Sequence, residues 1–152
     1  MKTEIMEVCN QEMKKKEEKN KGFSLVELIV VIAIMAILAI VIAPQVMRYI
    51  GKSKDSVDAS NIALYKTAAT TALSNEDIYA EVVGKGTVTI VVNSSGVTYS
   101  PVSTDVPLFV AEFSNILDSK FPAPQSPTNK KFTITIPVSA GKLGTITVVA
   151  AP

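Results

Sequence analysis

Histidine and tryptophan are absent from the 152 residues, and cysteine occurs once, as Cys9. One thiol and no imidazole cannot build a structural zinc site or a redox pair, so no metal, cofactor or disulfide is expected. Charge of either sign is not in excess: fifteen Lys and Arg stand against fourteen Asp and Glu. Without a basic stripe or patch, no specific nucleic acid is expected as a partner. Acids that could tempt a catalytic reading fall in two groups, Glu76, Asp77 and Glu81, then Asp105, Glu112 and Asp118. Their spacing matches ordinary helix-cap and surface positions, and general acid–base work needs burial and geometry that spacing alone does not supply. An enzyme is therefore not expected. Gly84-Lys85-Gly86 reads as a turn, and Tyr49, Tyr65, Tyr79 and Tyr99 are too scattered to form a ligand platform. No internal repeat is present.

The most telling absence is of charge over one stretch. Phe23–Pro44 contains a single acid, Glu27, and no base, and Leu28 to Ala43 is sixteen apolar residues without a break. Phe23 to Ala43 is twenty-one residues, enough for a helix to cross a hydrocarbon core of about 30 Å. A strand does not run this long, and a chain this small could hardly wrap such a helix on all sides. Lys14–Lys21, just before it, holds five Lys and two Glu. A lysine-rich flank keeps its side cytoplasmic, so one span with the N-terminus inside and the remainder outside is expected. Glu27 is out of place in such a run. A carboxylate in an apolar helix is expensive unless something partners it.

Lys21-Gly22-Phe23-Ser24-Leu25-Val26-Glu27-Leu28, the apolar run and Pro44 together resemble the class III signal of type IV pilins and pseudopilins. The resemblance covers about thirty residues directly. It implies cleavage between Gly22 and Phe23 by a membrane prepilin peptidase, which also N-methylates Phe23. Ser24 stands where many relatives carry Thr. The new amine of Phe23 would lie one helical turn from Glu27, and a neighbour shifted axially by about that turn could set its amine against this carboxylate, neutralising both. Unlike an ordinary secretory signal, cut after its apolar region, this one is cut before it, so the apolar helix stays on the mature protein. The family also implies a helical homo-oligomeric filament, a polytopic platform protein and an assembly ATPase. Localisation follows: a single-pass cytoplasmic-membrane protein before assembly, then an extracellular pilus. With residues 1–22 removed, nine basic and nine acidic residues remain and Cys9 is lost. The disulfide-bounded C-terminal region of many Gram-negative pilins is then impossible, which brings the chain nearer to Gram-positive pilins.

The expected fold is α+β, of the type IV pilin kind: a long N-terminal helix whose C-terminal half packs on a small antiparallel sheet, with a second short helix. The expected divisions are a leader over 1–22, a long helix over 23–74 and a head over 75–152. Residues 23–43 serve as anchor and filament core, and 44–74 pack on the head. Pro44 removes the bond to the carbonyl of Ile40, and is read as a kink or loosening because the helical pattern resumes beyond it. Ile50, Lys54, Val57, Asn61, Leu64 and Ala68 mark one stripe of the continuation, and Ile62, Tyr65, Ala69, Ala72 and Leu73 another. Ser74–Asp77 reads as the exit, and Ile78–Lys85 as a connection between helix and sheet, with room for a short helical turn. Thr87–Asn93 alternates as a strand, turns at Asn93–Gly96 and returns over Val97–Ser100. A second helix is expected over 106–120, capped by Asp105, with Phe109, Val110, Phe113, Ile116 and Leu117 on its inner face. Three prolines make Phe121–Thr128 an irregular loop. Lys131–Val138 and Thr145–Val149 read as further strands around a turn at Ser139–Gly144.

The resemblance implies the structural subunit of a type IV pilus, used for adhesion, twitching motility or biofilm. A pseudopilin of a type II secretion or competence system is the alternative. A single-span membrane enzyme or receptor is a third class, against which Gly22 and Glu27 argue. The site residues are Gly22 and Phe23 for processing, and Phe23, Glu27 and Pro44 for assembly.

Overall fold

A computed structural model describes residues 22–152. Residues 1–21, with Cys9 and the lysine-rich flank, lie outside the described residues. The layout is α+β: a long apolar helix, shorter helices and an antiparallel sheet. The chain divides into two units, one up to Val46 and one from Met47.

Helix α1 runs Leu25–Ala72, 48 residues with Pro44 inside it. Its start is locally encoded. The Leu28 N–H donates to the Ser24 carbonyl (3.1 Å), and the Ser24 N–H donates to Glu27 Oε2 (3.2 Å). Ser24 and Glu27 stand at capping-box spacing, and the carboxylate satisfies a backbone donor at the helix entry. Pro44 does not end the helix, so the expectation of resumption holds. The helix closes two residues before Ser74, and the Leu73 N–H still reaches the Ala69 carbonyl (3.1 Å).

Helix α2, Glu76–Lys85, replaces the connection expected over Ile78–Lys85: the short helical turn considered there is a full ten-residue helix. Asn75 caps it: its Oδ1 accepts from the Asp77 N–H at 2.9 Å. Glu76 and Asp77 in the first turn and Lys85 in the last complement the helix dipole. Gly86 terminates it at φ 87°, where a side chain would be strained.

Strands β1 (Val88–Asn93), β2 (Gly96–Ser100), β3 (Lys131–Ile136) and β6 (Thr147–Ala151) form one antiparallel sheet in the order β2-β1-β3-β6. Asn93 pairs with Gly96, leaving Ser94-Ser95 as the hairpin loop. The alternation sets the register: Ile90 lies opposite Ile134 and Val92 opposite Phe132, so every inward side chain of β1 and β3 is apolar. β3 stops at Ile136, before Pro137 and short of the expected Val138, and is central, paired on both sides. The turn at Ser139–Gly144 contains a small hairpin, β4 (Val138–Ser139) with β5 (Lys142–Leu143). The last strand starts at Thr147, not Thr145.

The core of the second unit draws on all these elements. Val88, Ile90, Val92, Phe132, Ile134 and Ile136 of the sheet are fully buried. Tyr65, Ala68, Ala69 and Ala72 of α1 face them, small except for one ring, which permits close approach of the helix. The second predicted stripe of α1 is thus the buried one. The first stays largely exposed at Ile50, Val57 and Leu64.

Helix α3, Pro107–Ile116, is shorter than the 106–120 expected. Its Phe109 and Phe113 are buried. Rings at 5.7 Å (Tyr65–Phe132), 6.4 Å (Tyr65–Phe113), 5.5 Å (Phe109–Phe113) and 6.0 Å (Phe113–Phe121) tie sheet, α1, α3 and the following loop together. Such pairs add about 0.5–1.5 kcal/mol each beyond area burial. The early end comes from Asp118 (φ 52°) and Ser119 (φ 55°), both left-handed. Two consecutive residues of that conformation cannot continue a right-handed helix.

Candidate functional site

The expected site residues fall within the first unit. Gly22, Phe23, Ser24 and Glu27 line one hollow at the start of α1. Phe23 is 83% exposed. Glu27 is exposed too, its one carboxylate oxygen bound to the Ser24 N–H. The structure therefore brings Gly22 and Phe23, the expected processing residues, and the acid together. Pro44 lies seventeen residues further along the same helix, separate from that cluster.

Behind the cluster the helix presents apolar side chains in every direction. Leu28, Ile29, Val30, Val31 and Ile32 are all exposed, as are Ile37, Leu38, Ile40, Val41 and Ile42. No residue from Leu25 to Ile50 is buried. The helix is long and apolar enough to cross a membrane.

A family described as the prokaryotic N-terminal methylation motif matches residues 19–43. The chain carries a type IV pilin-like class III signal peptide. The signal supports a pilin-like or pseudopilin precursor, with processing by a prepilin peptidase and the general pilus assembly machinery. Together with the apolar helix it points to membrane anchoring followed by a surface location, and to a structural rather than an enzymatic protein. No curated protein and no solved structure matches the chain.

The acids weighed in the sequence take other roles in this chain. Glu81 grips α3: its Oε1 accepts from the Leu108 N–H (3.1 Å) and its Oε2 from the Phe109 N–H (2.8 Å). The expected cap, Asp105, does not serve; Val106 holds the cap position with no side-chain bond. The two free N–H groups at the helix entry are instead satisfied from α2. Asp118 pairs with Lys120 at 2.8 Å, both more than four-fifths exposed. Among the described residues no three His, Cys, Asp or Glu side chains are placed to hold a metal ion.

Asp58 is the residue that sequence reasoning missed. It is 2% exposed. Its Oδ1 accepts from the Gln125 N–H (2.7 Å), and its Oδ2 from the Ser126 N–H (3.2 Å) and Asn129 Nδ2 (2.9 Å). Burial pushes the carboxyl pKa up, but the bonds from Gln125, Asn129 and Ser126 outweigh it and hold it below the usual carboxylate value. Seven residues on, the Tyr65 hydroxyl donates to the Pro122 carbonyl at 2.9 Å. Asp58 and Tyr65 are two helical turns apart, on one face, and together bolt the proline-rich loop to α1.

Proposed function

We propose that this chain, cut between Gly22 and Phe23 and N-methylated on Phe23, is the structural subunit of a type IV pilus. The observation that carries the reading is the apolar surface around the whole of α1 from Leu25 to Ile42, with one carboxylate and no covering segment from the chain itself among the described residues. In a bilayer, lipid covers that surface. In a filament, sister helices cover it. Assembly is heterologous and propagates along a helical axis, because a closed ring would stop growth. Lipid already satisfies the apolar surface, so extraction needs work, supplied by an ATPase acting through a platform protein.

Glu27 has two tasks in this reading. Within one chain it bonds the Ser24 N–H at the helix entry. Between chains its carboxylate takes the Phe23 amine of a neighbour. Pro44, lacking an N–H, is the place where α1 loosens when subunits pack. Residues 23–43 act as anchor and then filament core, while 44–74 belong to the head. Adhesion, twitching motility and biofilm formation are the uses such a surface filament serves.

Mass spectrometry of sheared surface filaments tests the proposal. The expected product starts at methylated Phe23 and is otherwise intact. Recovery in a short wall-embedded structure that does not shear would assign the pseudopilin role. An uncut chain confined to membranes would overturn both. Glu27→Ala should leave cleavage largely intact and reduce filament yield at least about tenfold, the effect of removing one partner of a buried charge pair; Gly22→Leu should abolish processing.

A further inference from the structure

A cluster of cations lies immediately beyond the apolar run. From Pro44 to Lys54 there are three, Arg48, Lys52 and Lys54, and no acid. Arg48 and Lys52 are four residues apart and share one helix face. Tyr49 beside them is 75% exposed and Met47 72% exposed. Asp55, the first acid, falls near that face one turn further on. Among the described residues no carboxylate pairs with Arg48, Lys52 or Lys54; Asp118–Lys120 is the ion pair found there.

Their spacing fits a membrane surface. Arg48 follows Ala43 by five residues, about 7.5 Å of helix, against an interfacial layer of roughly 5–7 Å on each side of the hydrocarbon. Lys52 stands a turn further out, and its long stem can reach back. Tyrosine belongs at that depth, with its ring at the headgroups and its hydroxyl wet.

Cleavage sharpens the point. Before it, five lysines of Lys14–Lys21 outnumber the three cations on the other side, in line with the positive-inside bias. After it, all five are gone, and the Phe23 amine is matched by Glu27. Every remaining cationic side chain near the span is then on the outer side.

We propose that Arg48 and Lys52 bind anionic phospholipid headgroups of the outer leaflet, with Lys54 adding to the positive field beyond them, and that this contact is the main cationic anchor of the processed chain. The proposal rests on the membrane residence and cleavage in the functional reading above, but not on filament formation. Each cation near an anionic surface favours it by roughly fivefold.

The chain has no tryptophan, so Ile42→Trp supplies a single reporter at the outer end of the span. The full chain and a chain beginning at Phe23 are each placed in vesicles of phosphatidylcholine and phosphatidylglycerol, with one lipid or the other brominated. Brominated phosphatidylglycerol should quench with a relative affinity at least about fivefold above brominated phosphatidylcholine. In the processed chain, replacing all three cations by Gln should bring that ratio close to one, and so should molar salt. Arg48→Lys alone should keep it, with helix content by circular dichroism confirming that each variant folds. Equal quenching in the parent, or a preference that survives the triple replacement, would overturn the proposal. Lipid preference with no filaments in cells would sink the pilus reading and leave this one standing. Filaments with no lipid preference would do the reverse.

Discussion

Up to Val46 and from Met47 the chain uses much the same apolar alphabet for opposite ends. Ala33, Ala36 and Ala39 are left uncovered by the described chain, whereas Ala68, Ala69 and Ala72 are sealed against a sheet. Ile37 is 65% exposed and Ile134 fully buried. Composition does not decide which residues fold inward; the presence of alternating strands to receive them does. The second unit supplies its own partner surface. The first supplies none among its described residues, and in the proposed reading lipid or a sister subunit covers it instead.

The contrast can be broken at several strengths, all read by thermal or denaturant unfolding of the processed chain in detergent. Phe113→Ala should destabilise the second unit by about 3–5 kcal/mol, since its ring joins three others, while Ile37→Ala should move it by less than about 0.5 kcal/mol. Equal effects at the two positions would erase the distinction.

Asp58→Ala comes next, at about 2–3 kcal/mol, because it removes a charged acceptor from three donors, the buried Ser126 N–H and the partly buried bonds from Gln125 and Asn129. The same carboxylate has a pH signature. Its pKa is lowered on folding, so its contribution is complete above the unfolded value, about 3.9, and is lost as pH falls through the lower folded value. Asp58→Asn should flatten stability in that acid window; an unchanged pH profile would show that the carboxylate does not hold the loop.

Glu81→Ala should cost about 1 kcal/mol, as expected for a lost helix cap, with hydrogen exchange rising first at Leu108 and Phe109. Lys120→Ala should change the melting temperature by nothing measurable, because its pair with Asp118 is bathed in water. A shift of several degrees there would mean that the left-handed turn at Asp118-Ser119 depends on the pair.

What could be read from sequence was local. Strands β1 and β3 are written in the alternation of Val88, Ile90 and Val92 and of Phe132, Ile134 and Ile136. Gly22, Phe23 and Glu27, the expected processing and assembly residues, form one linear motif. Ser24 with Glu27 at capping spacing, and Asn75 ahead of two acids, are local signals of the same kind, and Asn75 is what makes α2 a helix. Asp58 and Glu81 were not legible, because their partners lie 67–71 and 27–28 residues away. A carboxylate that serves a distant backbone looks, in sequence, like any surface acid. Asp105 shows the converse: it has the right residue type one residue before the cap position, but a distant group already fills the role.

In the proposed filament, the bolts from Asp58 and Tyr65 would matter under tension. Cysteine is absent beyond Cys9, so no covalent bridge can secure the proline-rich segment. Attached two turns apart, the contacts at Pro122 and Gln125–Asn129 would be strained side by side, in shear, by a pull along the helix axis. Rupture then requires several polar bonds to fail together, whereas a single tether would peel. A thread built from such heads would keep its outer loops seated under drag by hydrogen bonding alone.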